Sequence, residues 1–286
     1  MANTTGHFAT SDGRSLHYTA WGARGSSTGR TAVVLIHGLG EHGALYDETA
    51  RFLVERVGPV YAPDLRGHGL SPGRRGHVRR WEDFRRDLHG MLGVVRTAEP
   101  GTPLLLGHSL GGLLALDFAV ENPDSVAGIV ALAPPLGRVG VPGWLLVLGS
   151  LASTVWPSLT LKTGFDLSGL TRDPARLARI LGDPLFHRRA SARLATEVFA
   201  AVKHLRTHAA RLQAPVLLLH GTADRMTDPA GTRSFFELLS GSNATLREYE
   251  GAYHHLLEDS NREQVREDIA AWIRGLRTED REGTED

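Results

Sequence analysis

Six short, mostly apolar runs alternate with segments of helical period along most of this chain. The runs are residues 32–36, 59–62, 103–106, 126–132, 215–219 and 244–249. Helical patterns separate or follow them at residues 44–56, 80–96, 111–122, 231–239 and 261–276. Runs that short and that apolar are strands buried on both faces, and burial on both faces requires helices above and below a mostly parallel sheet. The alternating segment Ser15–Trp21 follows the turn Ser11-Asp12-Gly13 and predicts an antiparallel edge strand.

The alternation stops between Arg138 and His208, where the chain is first uncharged and then helical and Arg-rich, with no strand signal. Two buried strands flank this stretch, so it predicts an insertion over the sheet edge. The expected organisation is a core formed by residues 1–137 and 209–286, with a helical cap at 138–208 inserted into it. Residues 277–286 are charged and polar and are expected to fray as a flexible tail. Val139 to Leu161 carry no charged side chain. Proline, glycine and serine interrupt this segment and its apolar part is too short for a bilayer core, so it predicts membrane contact without a span.

Composition narrows the chemistry. The 286 residues are ample for a large buried core. Thirty-two basic residues balance 32 acidic ones, so no global field draws the chain to nucleic acid. The absence of cysteine removes thiolate metal sites and thiol nucleophiles. No metal or cofactor is expected. The first twenty residues lack an apolar signal core, which makes a cytoplasmic location the expectation, with peripheral membrane contact through the cap. Nothing in the sequence fixes an oligomeric state.

Gly107-His108-Ser109-Leu110-Gly111 joins the end of one apolar run to the start of a helical one. G-x-S-x-G in that context is a sharp strand-to-helix turn presenting Ser109. A serine hydroxyl requires a base within hydrogen-bond reach and a third group to orient that base. Asp224 and His254 each lie just beyond a later strand, in the order serine, acid, histidine. His255 is the rival base. The anion formed on attack needs backbone amides facing it; Leu110, after the serine, supplies one and Leu39, in the Gly-rich loop 37–40, the other.

With these motifs in place the chain resembles the α/β-hydrolases of the monoglyceride lipase and lysophospholipase group. The likeness is carried by residues 37–42 (HGLGEH), 62–71 (APDLRGHGLS), 106–112 (LGHSLGG), 182–185 (GDPL), 220–224 (HGTAD) and 249–254 (YEGAYH). It implies an eight-stranded, mostly parallel sheet flanked by helices, with a helical cap. It further implies a catalytic set of Ser109, Asp224 and His254, favouring His254 over His255, and oxyanion amides at Leu39 and Leu110. The implied activity is hydrolysis of small-molecule acyl esters through an acyl-enzyme. A lysophospholipase, a broad carboxylesterase or thioesterase, and a ligand receptor derived from a hydrolase are the alternatives. Substrate contacts are expected at Glu41, Leu45, Trp144, Leu145 and Leu257. Leu45 and Leu257 depart from the group, because animal monoglyceride lipases carry an arginine and a second histidine at those places as head-group contacts.

Overall fold

The computed structural model describes residues 3–23, 30–137, 153–239 and 243–282. Trp144, Leu145 and most of the uncharged segment lie outside the described residues. Eight strands form one sheet: β1 (Asn3–Ala9), β2 (Ser15–Trp21), β3 (Val33–Ile36), β4 (Val60–Pro63), β5 (Leu104–His108), β6 (Ile129–Leu132), β9 (Val216–Gly221) and β10 (Ala244–Tyr249). Their spatial order is β1-β2-β4-β3-β5-β6-β9-β10. From β4 to β10 all neighbours are parallel, and β1 and β2 are antiparallel. The α/β-hydrolase fold inferred from the motifs is thus the one observed.

Sidedness follows from side-chain alternation. In β3, Val34 and Ile36 face one apolar cluster, which gathers α2 (Trp81–Ala98) and α3 (Leu110–Glu121). Val33 and Leu35 face a second cluster, formed with α1 (Asp47–Arg56) and α7 (Arg262–Glu282). All four side chains are fully buried, as a central strand covered on both faces requires.

Two differences from the sequence reading have physical causes. Ser15–Trp21 is antiparallel but is not the edge, because β1 pairs along its whole length, from Asn3 opposite Trp21 to Ala9 opposite Ser15. Phe8 is the only buried side chain in β1, so no hydrophobic alternation announces it. The insertion, expected to lack strands, contains the small antiparallel pair β7 (Thr160–Lys162) and β8 (Arg189–Ser191). These have three residues each and are mostly solvent-facing. Helix α7 is described as far as Glu282.

Between β6 and β9 the chain also forms α4 (Pro174–Gly182) and α5 (Ala192–Thr207), and α6 (Pro229–Leu238) follows between β9 and β10. Asp173 caps α4, its carboxylate accepting from the Ala175 and Arg176 amides. Leu194, Ala201 and Leu205 of α5 join the cluster under α2 and α3, so this helix packs into the main core. Among the described residues, no helix is long and apolar enough to cross a membrane.

Candidate active site

Ser109 stands between β5 and α3 with φ 50° and ψ −114°, a left-handed conformation costly for a residue with a Cβ. Two glycines make the turn feasible. A Cβ on Gly107 would come within 2.3 Å of the Gly111 carbonyl oxygen, and one on Gly111 within 2.1 Å of the Ile36 carbonyl oxygen. The Ser109 amide donates to the Leu132 carbonyl of β6 at 2.8 Å, fixing the elbow on the sheet.

Three side chains from three strand ends meet here. His254 Nε2 lies 3.0 Å from Ser109 Oγ, and His254 Nδ1 lies 2.7 Å from Asp224 Oδ2. Asp224 is thoroughly held. Its Oδ1 accepts from the Met226 and Thr227 amides at 2.7 and 3.1 Å. Its Oδ2 also accepts from the Thr227 hydroxyl at 2.8 Å and faces His220 Nε2 at 3.0 Å. Burial alone would raise the Asp224 pKa, but the His254 ring and the hydrogen bonds from His220 and His254 outweigh it. The carboxyl is held well below the usual carboxylate range. A charged acid, an imidazole and a serine hydroxyl in series are the parts needed to activate a nucleophile.

His255 turns the other way. Its Nε2 lies 3.5 Å from Glu41 Oε1, and its ring stacks on His108 with centroids 4.2 Å apart. Burial and then the His108 charge lower its pKa to about 4, so it is neutral near pH 7.

An apolar cavity of about 120 Å³ opens over Ser109, walled by Leu39, Phe165, Leu170, Phe186, Val198 and Met226. Most of these come from the inserted region. Leu110 opens α3, so its amide has no acceptor within the helix. Leu39 borders the same space. Of the expected substrate contacts, Leu45 and Leu257 do not line this cavity and lie in the apolar cluster with Ala50, Leu53 and Ile269. A leucine at either place has no polar partner to seek and packs inward.

Glu41 does border the cavity, although only 3% exposed. Two of its partners are residues that sequence reasoning missed: Tyr46, and His108, the variable position of G-x-S-x-G. Donor atoms of Glu41, His108 and His255 lie within 4.8 Å of one another, close enough to hold a cation. However, Glu41 Oε2 is already engaged by the Gly38 amide and the Tyr46 hydroxyl. Thr227 and His220 around Asp224 were missed as well; the spacing H-G-x-x-D was the only signal for His220, and Thr227 had none.

Comparison with known proteins gives the family. Residues 27–261 match the Hydrolase_4 family, described as serine aminopeptidase, S33. The human monoglyceride lipase is 33% identical over 254 residues, 87% of this chain and 83% of that protein. The Mycolicibacterium smegmatis monoacylglycerol lipase is 30% identical over 247 residues, 85% of this chain and 88% of that one. The crystal structure of the Paleococcus ferrophilus monoacylglycerol lipase superposes with a TM-score of 0.82 at 35% identity, covering 96% of this chain and all of that one. The chain therefore belongs to the α/β-hydrolase family that includes the monoglyceride lipases, and it is a serine ester hydrolase.

Proposed function

We propose that this enzyme cleaves acyl esters of the monoacylglycerol type by a Ser-His-Asp triad through an acyl-enzyme. The observation that carries the reading is the series Asp224–His254–Ser109, at 2.7 and 3.0 Å, beneath an apolar cavity. His254 takes the Ser109 proton as Oγ attacks the ester carbonyl, and Asp224 keeps the accepting nitrogen toward the serine while stabilising the imidazolium. The amides of Leu39 and Leu110 receive the oxyanion. Collapse of the tetrahedral adduct expels the alcohol, protonated by His254. Water activated by the same histidine then releases the carboxylic acid and restores Ser109.

In this reading residues 138–208 form the cap and residues 1–137 with 209–286 the core. The acyl chain lies among Phe165, Leu170, Phe186 and Val198. Val155 (86% exposed), Trp156 (59%) and Leu161 (62%) are the cap's point of transient contact with micelles or membranes. Leu45 and Leu257 favour a second reading of the head group. With apolar side chains buried where animal monoglyceride lipases carry polar ones, glycerol loses two contacts, and lysophospholipids and simple esters become competitive substrates.

Labelling with a fluorophosphonate tests the nucleophile: wild type is labelled and Ser109→Ala is not. Persistent labelling of Ser109→Ala refutes the assignment. Parallel turnover of monoacylglycerol, lysophosphatidylcholine and p-nitrophenyl esters ranks the head groups, and liposome sedimentation reads the membrane contact.

A further inference from the structure

We infer that Glu41 is a positioning residue for ester hydrolysis, holding the loop that carries the Leu39 amide in register with Ser109 and His254. The inference rests on the triad reading above and replaces head-group recognition as the role of this side chain.

The Glu41 carboxylate meets three segments, each one residue away from a reacting group. Oε2 accepts from the Gly38 amide at 2.8 Å, and Gly38 precedes Leu39. His108 Nδ1 lies 3.3 Å from the same oxygen, and His108 precedes Ser109. Oε1 faces His255 Nε2 at 3.5 Å, and His255 follows His254. Tyr46 completes the arrangement, donating its hydroxyl to Oε2 at 2.5 Å and lying 3.0 Å from His108 Nδ1.

Packing leaves little freedom. A Cβ on Gly38 would lie 3.0 Å from Glu41 Oε2 and 3.1 Å from His108 Nδ1. Burial raises the Glu41 pKa, but the neighbouring His108 and His255 rings and the hydrogen bonds with His108 and Tyr46 outweigh it, keeping the carboxyl well below its ordinary value. An ionised carboxylate in such a place is tolerable only when its acceptor capacity is used inside the protein. Oε2 is shared among three groups, which leaves it poorly placed to recognise a substrate hydroxyl. What the carboxylate does fix is the spacing between the amide-bearing loop, the elbow and the base.

The test compares Glu41→Met and Glu41→Gln on a monoacylglycerol and on p-nitrophenyl butyrate, which has no glycerol, with rates normalised to active sites counted by a nitrophenol burst. Loss of one oxyanion donor lowers kcat by roughly a hundredfold or more. Glu41→Met should therefore lose about a hundredfold in kcat on both substrates, with KM within threefold of wild type. Glu41→Gln should recover at least tenfold over Glu41→Met, its carbonyl taking the Oε2 place and its amide nitrogen facing His255. A KM increase confined to the monoacylglycerol, or an unchanged kcat in Glu41→Met, overturns the inference. If Glu41→Met shows no cooperative melt, Tyr46→Phe replaces it, removing one donor and keeping the carboxylate. About three- to tenfold loss of kcat at constant KM is then expected, and no loss overturns the inference. Turnover by Ser109→Ala would instead reveal failure of the triad reading itself.

Discussion

Replacing Asp224 with asparagine changes one atom and should remove nearly all activity. The two oxygens of Asp224 are not equivalent. Oδ1 accepts from two backbone amides, Met226 N–H and Thr227 N–H, which cannot move without unfolding the turn. In Asp224→Asn the carbonyl oxygen must keep that place, and the amide nitrogen falls where Oδ2 stood, 2.7 Å from His254 Nδ1. There it donates, and Nδ1 must accept. The imidazole proton then moves to Nε2, the atom facing Ser109 Oγ at 3.0 Å, and the base presents a proton where it should take one. In serine hydrolases with this defect kcat drops about ten-thousandfold, or ~5.4 kcal/mol of barrier. Initial rates on p-nitrophenyl butyrate at saturating substrate read the effect directly, and circular dichroism verifies that the fold is kept. A loss below tenfold, or one expressed only in KM, would refute the tautomer argument.

Gly111→Ala should weaken both fold and activity, since the added methyl meets the Ile36 carbonyl at 2.1 Å and must push α3 away from β3; a loss of about 1–3 kcal/mol is expected in urea unfolding, and an unchanged midpoint would contradict it. Acid should destabilise the protein well before the carboxylates titrate. His255 and His187 are held to about 4 chiefly by burial, against 6.5 in the unfolded chain, so their contribution is complete above pH 6.5 and is lost as pH falls from 6.5 toward 4. For His255 this is on the order of 3 kcal/mol, and a melting temperature flat between pH 7 and 4 would disprove it. Acyl-chain preference should follow cavity volume: kcat/KM should rise about fourfold per methylene (~0.8 kcal/mol each) and then level off. Val198→Trp should bring that plateau to shorter chains, and an unaltered profile would remove Val198 from the acyl path.

The central sheet and the Ser109 elbow were legible because their causes are local. A run of leucines, a turn of small residues and an apolar helical restart occupy adjacent positions. β1 was not legible: its polar residues become a strand only through pairing with β2. β7 and β8 are likewise products of a contact between segments about thirty residues apart. The positions of Asp224 and His254 could be read from the strands before them. Their supporting groups could not, because Tyr46 reaches His108 across 62 residues and Thr227 reaches His254 across 27. The departures at Leu45 and Leu257 were legible, but their place away from the cavity was not, because it is set by the cluster they share with Ala50, Leu53 and Ile269.

The His254 amide donates to the Gly169 carbonyl at 3.2 Å and the His255 amide to the Leu170 carbonyl at 2.7 Å. The loop bearing His254 is thus seated on backbone from residues 169–170, and Arg172 adds an ion pair to Asp259 at 2.9 Å just beyond it. For anyone exchanging lids among these hydrolases to alter substrate range, the seam is misplaced if cut at the ends of the insertion. A graft spanning residues 138–208 would carry away the two carbonyls on which the base loop rests. The transferable unit is the stretch before Gly169, and residues 169–172 should travel with the recipient's own histidine loop.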